Sequence, residues 1–261
     1  MGEVPRSHPR YNSLIARKLL TDAADDGLLA DSALIAHGRG EAYDYLLGEK
    51  TSASALLSIK QAAAVMKNAN KCVISLNGNA VALAAENLLR CATILQCPVE
   101  INIYYRTPER MKALLSRLEK VRQEVMKSKK PDGWLGNWEE DVLAVPILGA
   151  EPNGRIQNLD GPRANCCKEG ILDADVIFVP LEDGDRCEAL MNMGKTVIVV
   201  DLNPLSRTAK MASITIVDEL MRVGSVLIDE LVKSDCKINE KWDNKLVLDA
   251  ALNEINSNIQ N

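Results

Sequence analysis

The segment 196-TVIVVDLNPLSRTA-209 ends a run of apolar residues in an unusually dense group of polar ones. Asp201 and Asn203 have the side chains to hydrogen-bond a ribose or a base, as acidic residues after strands do in dinucleotide-binding folds. A serine that caps the following helix would place Arg207 and Thr208 in the first helical turn, beside free backbone N–H groups. Because such groups and a nearby arginine attract phosphate, the segment predicts half of a nucleotide site.

Polar side chains also follow three other predicted strands. Ligands of parallel α/β sheets bind beyond the carboxyl ends of the strands, so these side chains are expected to converge on one crevice. Each group also has a simpler explanation: the asparagines can form a tight turn, and either aspartate can precede or cap a helix. The residues are Asn77 and Asn79 after 73-VISL-76, Arg106 after 99-VEINIYY-105, and Asp183, Asp185 and Arg186 after 176-VIFVPL-181.

Several common catalytic and cofactor signatures are missing from the sequence. There is no G-x-x-x-x-G-K-[ST] phosphate loop, and no G-x-G-x-x-G follows a predicted strand. With only two histidines, His8 and His37, a Ser-His-acid triad would need His37 as its base, and such a histidine is more often structural or a ligand contact. Cys187 is interpreted as a buried helix residue, because no histidine accompanies it. The spacing of histidines and cysteines argues against a protein-bound zinc or iron site.

The composition is that of an aliphatic α/β protein. Hydrophobic residues make up 47% of the 261 positions and aromatic residues only 3%, which favours a core of Ala, Val, Ile and Leu between helices and a parallel sheet. The net charge of −5 provides no basic field for nucleic acid. Seven cysteines without a CxxC pair and no signal-peptide pattern indicate a reducing cytoplasm. No apolar run is long enough to cross a membrane.

Hydrophobic periodicity predicts the elements that position these residues. Residues 31–51 are expected to hold a helix capped by Ser32, which breaks at the glycines after His37 and restarts at Glu41. Strands alternate with crossovers too long for hairpins, so the predicted fold is α/β, with a mainly parallel, Rossmann-like sheet flanked by helices. The other predicted helices cover 13–29, 52–69, 80–96, 107–130, 184–194, 206–212 and a final segment ending near 233; the strands cover 71–76, 98–105, 174–181, 196–202 and 213–220.

Residues 1–261 are expected to form a single Rossmann-like domain with three less regular parts. Residues 1–70 form an N-terminal helical portion that starts with an extended arm over 1–12. Residues 131–170 contain Pro, Gly, Asn and two of the three Trp residues, so they are interpreted as a loop-rich insertion. Residues 234–261 are expected to form a charged, helical C-terminal tail. No motif indicates the role of the insertion or of the tail.

Six long and unusual blocks occur in the chain: 7-SHPRYNSL-14, 35-IAHGRGEAYDYLLGEKT-51, 75-SLNGNAVAL-83, 100-EINIYYRTPER-110, 179-VPLEDGDRCEAL-190 and 200-VDLNPLSRTAKMA-212. In order and spacing, these blocks resemble the archaeal phosphopantothenate synthetase (4-phosphopantoate–β-alanine ligase) family. The resemblance implies a Rossmann-like homodimer that uses ATP and Mg²⁺ in coenzyme A biosynthesis. Its reaction would join 4-phosphopantoate to β-alanine, giving 4′-phosphopantothenate, AMP and pyrophosphate.

The resemblance also implies roles for residues at the matching positions. At position 219 this chain has Glu, where a backbone contact would survive a change of side chain. The implied ATP contacts are Arg17, Arg39, Asp201, Leu202, Asn203, Arg207, Thr208 and, less directly, Glu219 and Leu220. The expected catalytic group is Arg39, His37, Asp183 and Asp185, the two aspartates being candidates for Mg²⁺. The candidates for substrate binding are Lys50, Asn77, Asn79, Arg106 and Arg186, with His37 as a further one.

The implied chemistry needs no covalent nucleophile. A carboxylate reacts with an amine only after its oxygen has become a leaving group, and an acyl-adenylate supplies one. The sequence offers arginines and turn N–H groups, so catalysis is expected to rest on positioning and electrostatic stabilisation. Two alternatives remain: a Rossmann-like protein that binds nucleotide for regulation without catalysis, and an NAD(P)-linked dehydrogenase, against which the missing glycine fingerprint counts.

Overall fold

A computed structural model describes residues 4–260 of the chain, so residues 1–3 of the predicted arm and residue 261 of the predicted tail lie outside the described residues. The helices are α1 (Tyr11–Asp25), α2 (Asp31–Leu46), α3 (Ala53–Lys67), α4 (Gly78–Leu95), α5 (Pro108–Lys127), α6 (Trp138–Ala144), α7 (Gly184–Asn192), α8 (Arg207–Met211), α9 (Leu220–Leu231) and α10 (Asn244–Gln260). The strands are β1 (Cys72–Leu76), β2 (Val99–Ile101), β3 (Ile147–Leu148), β4 (Gly154–Arg155), β5 (Asn165–Cys166), β6 (Val176–Pro180), β7 (Thr196–Val200) and β8 (Ile214–Ile216).

Six strands form one sheet in the order β3-β2-β1-β6-β7-β8, and every neighbouring pair is parallel. The remaining two, β4 and β5, form a separate antiparallel pair. Numbered along the chain, the strands of the main sheet have the 3-2-1-4-5-6 order of a Rossmann fold. The predicted fold class is therefore confirmed. In this order the direction of winding reverses between β1 and β6.

The central strands are buried on both faces, as their continuous apolar runs predict. In β6, Val176 and Phe178 belong to the larger core cluster, which the helices α3, α4 and α9 share. The alternate residues Ile177 and Val179 face the second cluster, which includes residues of α7. Each fully buried aliphatic side chain contributes roughly 1.5–3 kcal/mol. The alternation fixes the register of the sheet and with it the positions of the strand ends.

Three helices that start at the carboxyl edge of the sheet begin with a side-chain cap. Asn77, Asp183 and Ser206 each accept a hydrogen bond, 2.9 Å long, from the backbone N–H three residues further on. A cap of this kind contributes about 1 kcal/mol. The cap predicted at the serine before Arg207 is confirmed, and Asp183 is a helix cap, as its simpler explanation allowed. Asn77 has a φ of −108° and is a helix cap, not a residue of a tight turn with positive φ.

The predicted break in the second helix is wrong. Asp31–Leu46 is one continuous helix that passes through Gly38 and Gly40. A glycine inside a helix costs about 1 kcal/mol relative to alanine, which weakens a helix without ending it. The helix begins at Asp31 without a side-chain cap, so the predicted cap at Ser32 is wrong as well.

Two segments predicted to be extended differ from the structure. The strand predicted over 98–105 pairs only over Val99–Ile101, with β1 on one side and the two-residue strand β3 on the other. The arm near residue 8 is not extended either. The backbone N–H of His8 donates to Pro5 O at 2.9 Å, which forms a turn just before α1.

The insertion predicted as loop-rich has more regular structure than expected. It contains α6, the sheet strand β3, the β4–β5 pair and a π-helical turn over Lys168–Leu172. The fully buried carboxylate of Glu100 in β2 accepts hydrogen bonds from Cys167 N and Ile171 N, both at 2.8 Å. Burial raises the pKa of Glu100 above its ordinary value. Strand β2 therefore anchors the end of the insertion.

Helix α3, the end of α2 and helix α10 pack around β8 and the segment that follows β7. Leu202, directly after β7, packs in a third cluster with Leu47 and with Leu248 and Ile255 of α10. This packing holds the C-terminal helix against the region predicted to bind nucleotide. Within residues 4–260, no helix is both long enough and apolar enough to cross a membrane.

Candidate active site

A crevice of about 490 Å³ opens beyond the carboxyl ends of β1 and β6. This is where the strand order reverses, the usual ligand position in open parallel sheets. The start of α2, the loops after β1, β2 and β6, and the insertion all contribute to its lining. The residues predicted from the sequence that line it are Asn77, Asn79, Asp183, Asp185 and Arg186.

The loop after β1 brings a helix N-terminus to the crevice. Asn77 Nδ2 donates to Leu181 O at 2.8 Å and so joins the β1 loop to the β6 loop. A Cβ on Gly78 would lie 2.7 Å from both Leu28 O and Leu29 Cδ2. Only glycine permits this approach. Gly78 is the first residue of helix α4, which is kinked at Ala84, and the free N–H groups of its first turn favour an anion.

The loop after β6 carries a buried ion network. Leu181 has a φ of +61°, an uncommon conformation for leucine that is often found at functional sites. The side chain of the next residue, Glu182, is fully buried and forms an ion pair with the equally buried Arg186. Arg186 also donates to Ser75 Oγ at 3.0 Å. Burial lowers the pKa of Arg186, and the charge of Glu182 opposes that shift.

The insertion supplies a second arginine to this network. Arg163 Nη1 lies 2.8 Å from Glu182 Oε1 and also forms an ion pair with Asp183. Burial tends to raise the pKa of Asp183, but Arg163 and the backbone N–H of Arg186 outweigh it, so the pKa of Asp183 lies below its ordinary value. Asp183 is therefore a carboxylate that caps α7 and pairs with an arginine on the crevice wall.

A third arginine reaches the crevice from α5. Arg110 Nε donates to Leu28 O at 3.2 Å, and its Nη1 donates to Tyr105 O at 3.0 Å. Its Nη2 lies 3.4 Å from the position that a Cβ on Gly78 would occupy, which places it beside the first turn of α4. Burial lowers the pKa of Arg110. The exposed rings of Tyr104 and Tyr105 meet edge to face at the same crevice, with centroids 5.0 Å apart.

Most polar side chains of the segment after β7 form hydrogen bonds within the segment itself. Asp201 Oδ1 accepts from Asn203 N at 2.9 Å, and its Oδ2 accepts from Ser206 Oγ. Burial raises the pKa of Asp201. The side chain of Leu202 is buried beside Gly40, whose Cβ would lie 3.5 Å from Leu202 Cδ1, so at Leu202 it is the backbone that can meet a ligand.

Arg207 and Thr208 connect this segment to the crevice. The stem of Arg207 packs over Gly184, where a Cβ would lie 2.9 Å from Arg207 Cδ. The Arg207 side chain is 56% exposed, and its guanidinium pairs with Asp185 and Glu188. Thr208 Oγ1 donates to Glu182 O at 3.1 Å. The predicted phosphate-binding turn therefore borders the β6 loop.

The start of α9 holds one carboxylate oxygen without a partner. Glu219 Oε2 caps the helix by accepting from Met221 N at 2.8 Å and from Arg222 N at 3.2 Å. Glu219 Oε1 is buried and has no hydrogen-bond partner among the described residues. Burial raises the pKa of Glu219. Leu220, the next residue, is buried in the core.

Helices α1 and α2 present the remaining cations predicted for ATP. Arg17 Nη2 lies 2.6 Å from Glu41 Oε1, and its side chain is 45% exposed. Arg39 is exposed and makes no ion pair or hydrogen bond with any residue of the described range 4–260. His37 lies on the same helix; burial lowers its pKa, with Glu41 acting in the opposite direction. Glu41 thus pairs with Arg17 and acts through its charge on His37.

Comparison with known proteins identifies the family. The sequence model of the phosphopantothenate/pantothenate synthetase family matches residues 54–258. The 4-phosphopantoate–β-alanine ligase of Thermococcus kodakarensis is 44% identical over 229 residues, which are 88% of this chain and 80% of that protein. The ligase of the same name from Methanosarcina mazei is 39% identical over 267 residues, covering 100% of this chain and 97% of that protein. The chain belongs to the phosphopantothenate/pantothenate synthetase family.

Two residues predicted to bind substrate lie away from the crevice of this synthetase. Arg106 Nη2 donates to Ala150 O at 3.1 Å and also to Gly149 O, so it holds the chain that follows β3. Lys50 Nζ lies 3.8 Å from Glu254 Oε1 of α10, and its side chain is 62% exposed. By contrast, Asn79 lines the crevice and donates to Ala33 O of α2 at 3.2 Å.

Sequence reasoning missed three charged residues that line the crevice: Arg110, Asp160 and Arg163. Arg110 stands in the block 100-EINIYYRTPER-110, so inspection of the charged positions in that block would have found it. Arg163 lies in the insertion, which has no hydrophobic period or motif. Only the folded chain brings it to within 2.8 Å of Glu182.

Proposed function

We propose that this chain is an ATP-dependent ligase that condenses 4-phosphopantoate with β-alanine to 4′-phosphopantothenate, releasing AMP and pyrophosphate. The observation that carries the proposal is the crevice at the reversal of strand order, where Arg110, Arg163 and the N-terminus of α4 gather around one space. Such a site suits a doubly anionic acid. Relatives with 39–44% identity bear the name 4-phosphopantoate–β-alanine ligase, which supports the assignment.

In the proposed arrangement, the acid substrate occupies the crevice and ATP lies across the ends of β7 and β8. Arg17, Arg39 and Arg207 would hold the polyphosphate, because their side chains are exposed and carry positive charge. Asp201 and Asn203 would meet the ribose or the base. The pairing of Arg207 with Asp185, a crevice residue, supports a position of the reacting phosphate at the border of the two regions.

The reaction we infer proceeds in two steps. The carboxylate of 4-phosphopantoate attacks the α-phosphorus of ATP, which forms an acyl-adenylate and releases pyrophosphate; the amine of β-alanine then displaces AMP. Both transition states concentrate negative charge, so positioned arginines and helix N–H groups lower the barrier by electrostatic stabilisation. His37, whose pKa is lowered by burial, is a candidate to accept a proton from the β-alanine ammonium group.

The metal is proposed to bind mainly through the nucleotide. Among residues 4–260 there is no group of three or more His, Cys, Asp or Glu side chains that could hold a metal ion. Mg²⁺ is commonly held by one or two carboxylates together with phosphate and water oxygens. Asp185 fits this role because 74% of its side chain is exposed, whereas Asp183 already caps α7 and pairs with Arg163. A metal at Asp185 would neutralise phosphate charge.

The products identify the reaction. Purified protein incubated with ATP, Mg²⁺, 4-phosphopantoate and β-alanine should form phosphopantothenate together with AMP and pyrophosphate, measured by phosphorus NMR and mass spectrometry. Release of ADP and phosphate would instead require an acyl-phosphate intermediate. ATP binding without turnover of any acid and amine pair would rule out the ligase assignment.

We also infer that the ligase is a homodimer, as the family resemblance implies. Helix α2 supports this proposal because it buries little of its surface: Ile35 and Tyr45 are 70% and 64% exposed, and Asp44 is its one buried residue. Light scattering coupled to size-exclusion chromatography should give twice the monomer mass. A mass near 28.6 kDa at micromolar concentration would contradict the dimer.

A further inference from the structure

The side chain of Asn102, the residue after β2, makes all of its hydrogen bonds to residues of the insertion. The side chain is buried, and its Nδ2 donates to Arg163 O at 3.2 Å and to Asn165 O at 3.0 Å. Its Oδ1 accepts from Arg163 Nε at 3.3 Å. One amide thus fixes both the backbone and the guanidinium of Arg163. A flipped amide would lose all three hydrogen bonds, so the orientation of the side chain is determined.

Arg163 retains hydrogen-bonding capacity toward the crevice. Its Nε is bound by Asn102, and its Nη1 is bound by Glu182 and Asp183. Its Nη2 makes no hydrogen bond with any residue between positions 4 and 260, although the residue lines the crevice. The side chain is only 10% exposed, so the guanidinium is held in one orientation. An arginine fixed on one edge and open on the other is suited to a carboxylate or phosphate group.

We propose that Arg163 contacts an anionic group of the acid substrate through Nη2, and that Asn102 is the positioning residue that holds Arg163 in that orientation. This inference rests on the proposed function, since it takes 4-phosphopantoate as the occupant of the crevice. It gives the insertion a role in catalysis: the segment between β3 and β6 delivers a substrate-binding arginine, and β2 anchors it there.

The charges around Arg163 agree with a role in binding substrate. Arg186 already forms an ion pair with Glu182 and donates to Ser75 Oγ. Arg163 and Asp183 add one positive and one negative charge, so the four charged groups are balanced before substrate arrives. The substrate then brings its own negative charge to the N-terminus of α4 and to Arg110. Asn102 is neutral and can orient Arg163 without neutralising it further.

The decisive variants are Arg163→Lys, Asn102→Ala and the two combined. Lysine retains the positive charge but cannot bind Asn102, Glu182 and a substrate anion at the same time. Arg163→Lys should raise the Kd for 4-phosphopantoate at least about tenfold, because charge-assisted hydrogen bonds are lost. Asn102→Ala should raise the same constant by a smaller factor. Because Asn102 acts through Arg163, the double variant should bind no worse than Arg163→Lys alone.

Binding is measured by calorimetric titration with 4-phosphopantoate, so the result does not depend on turnover. The KM values for 4-phosphopantoate, ATP and β-alanine are then determined separately, and only the first should change substantially. Unchanged binding of 4-phosphopantoate by folded Arg163→Lys would overturn the inference. If the fold-changes in Kd of the two single variants multiply in the double variant, Asn102 does not act through Arg163, and its positioning role is overturned.

A matched control is Asn153→Ala. Asn153 Oδ1 accepts from Lys168 N at 2.7 Å, so this residue also anchors the insertion, but it is exposed and does not line the crevice. Its loss should leave the Kd for 4-phosphopantoate unchanged. Thermal unfolding of each variant verifies folding. Wild-type turnover tests the proposed function by itself: an active wild type with an unaltered Arg163→Lys variant refutes only the inference made here.

Discussion

The crevice and the proposed nucleotide side, which carries Arg17, Arg39 and Arg207, differ in how their arginines are held. In the crevice, Arg163 and Arg186 are buried and share the carboxylate of Glu182. On the nucleotide side, Arg17 and Arg207 are 45% and 56% exposed and rest on surface carboxylates. The buried ion pairs fix the positions of the first group before any ligand binds. The second group must leave carboxylates such as Glu41 and Glu188 to reach phosphate.

Because of this difference, substitutions in the two groups of arginines should have different effects on stability and on ligand affinity. A change in the buried network leaves a buried carboxylate with fewer ion-pair partners, so it should lower both the free energy of unfolding and the affinity for the acid substrate. A change among the exposed arginines should lower ATP affinity and leave stability almost unaltered, because exposed ion pairs contribute little. Substitutions on the crevice side of the Arg207–Asp185 ion pair should change stability and affinity together, whereas those on the other side should change ATP affinity alone.

Replacement of Arg186 is expected to have the largest effect. Arg186→Met leaves the buried Glu182 with Arg163 as its remaining cation and Ser75 without a hydrogen-bond donor. Breaking a buried pair by removing one partner costs about 3–5 kcal/mol. Urea unfolding followed by circular dichroism measures the loss. The control Lys245→Met breaks an exposed pair with Asp249 and should leave the midpoint unchanged; equal midpoints for both variants would contradict the comparison.

Two glycine substitutions should change stability in opposite directions. Gly78→Ala places a Cβ 2.7 Å from the backbone of Leu28, so we expect a loss of about 1–3 kcal/mol and weaker binding of 4-phosphopantoate. Gly38→Ala adds a Cβ inside α2 where no atom lies within 4 Å, so a gain of up to about 1 kcal/mol is expected. Urea titrations of the pair measure both, and a stabilising Gly78→Ala would refute the close approach.

The sequence predicted the sheet well because strong local patterns determine it. The apolar runs that became β1, β6 and β7 are buried on both faces, and the caps at Asp183 and Ser206 follow from local chemistry. The continuous α2 was missed because local propensity counts two glycines as a break, whereas packing of the whole helix decides the outcome.

The site was predicted less completely, for a physical reason. Residues after strands, such as Asn77 and Asp183, are recognisable because strand ends converge in this fold. The position of Arg163 depends on hydrogen bonds to Asn102, 61 residues earlier in the chain, and no local pattern reports such a contact. Arg186 was expected to face substrate, but its burial follows from the neighbouring Glu182, whose own burial is set by the turn at Leu181.

The exposed arginines should show the opposite behaviour to Arg186. Arg39→Ala and Arg207→Ala are each expected to weaken ATP binding roughly tenfold, because each would lose charge-assisted contacts to phosphate. The urea midpoint should stay that of the wild type. Calorimetric titration with ATP and Mg²⁺ measures the affinity, and Lys120→Ala on α5, an exposed cation outside this region, serves as the control. Unaltered affinities would remove both arginines from the nucleotide site.

The smallest expected effect is a change in the titration of His37. Burial lowers the pKa of His37 in the free protein and so favours the neutral imidazole. A polyphosphate held by Arg17 and Arg39 would bring negative charge next to α2 and stabilise the imidazolium ion, so bound ATP should raise this pKa. The shift can be followed by NMR of the histidine ring, and His37→Asn assigns the signal, because His8 is the only other histidine.

The sign of the shift tests where the nucleotide lies. A lowered pKa in the folded state means that protonation of His37 opposes folding, so stability that is present above the unfolded-state pKa is lost as the pH falls through the folded-state value. The His37→Asn variant should lose less stability than the wild type over that acidic interval. ATP should reduce the difference between them, since the phosphate charge offsets the cost of the buried cation. If ATP leaves the pKa of His37 unchanged, its phosphates do not lie beside α2, and Arg39 would then have to act at another surface.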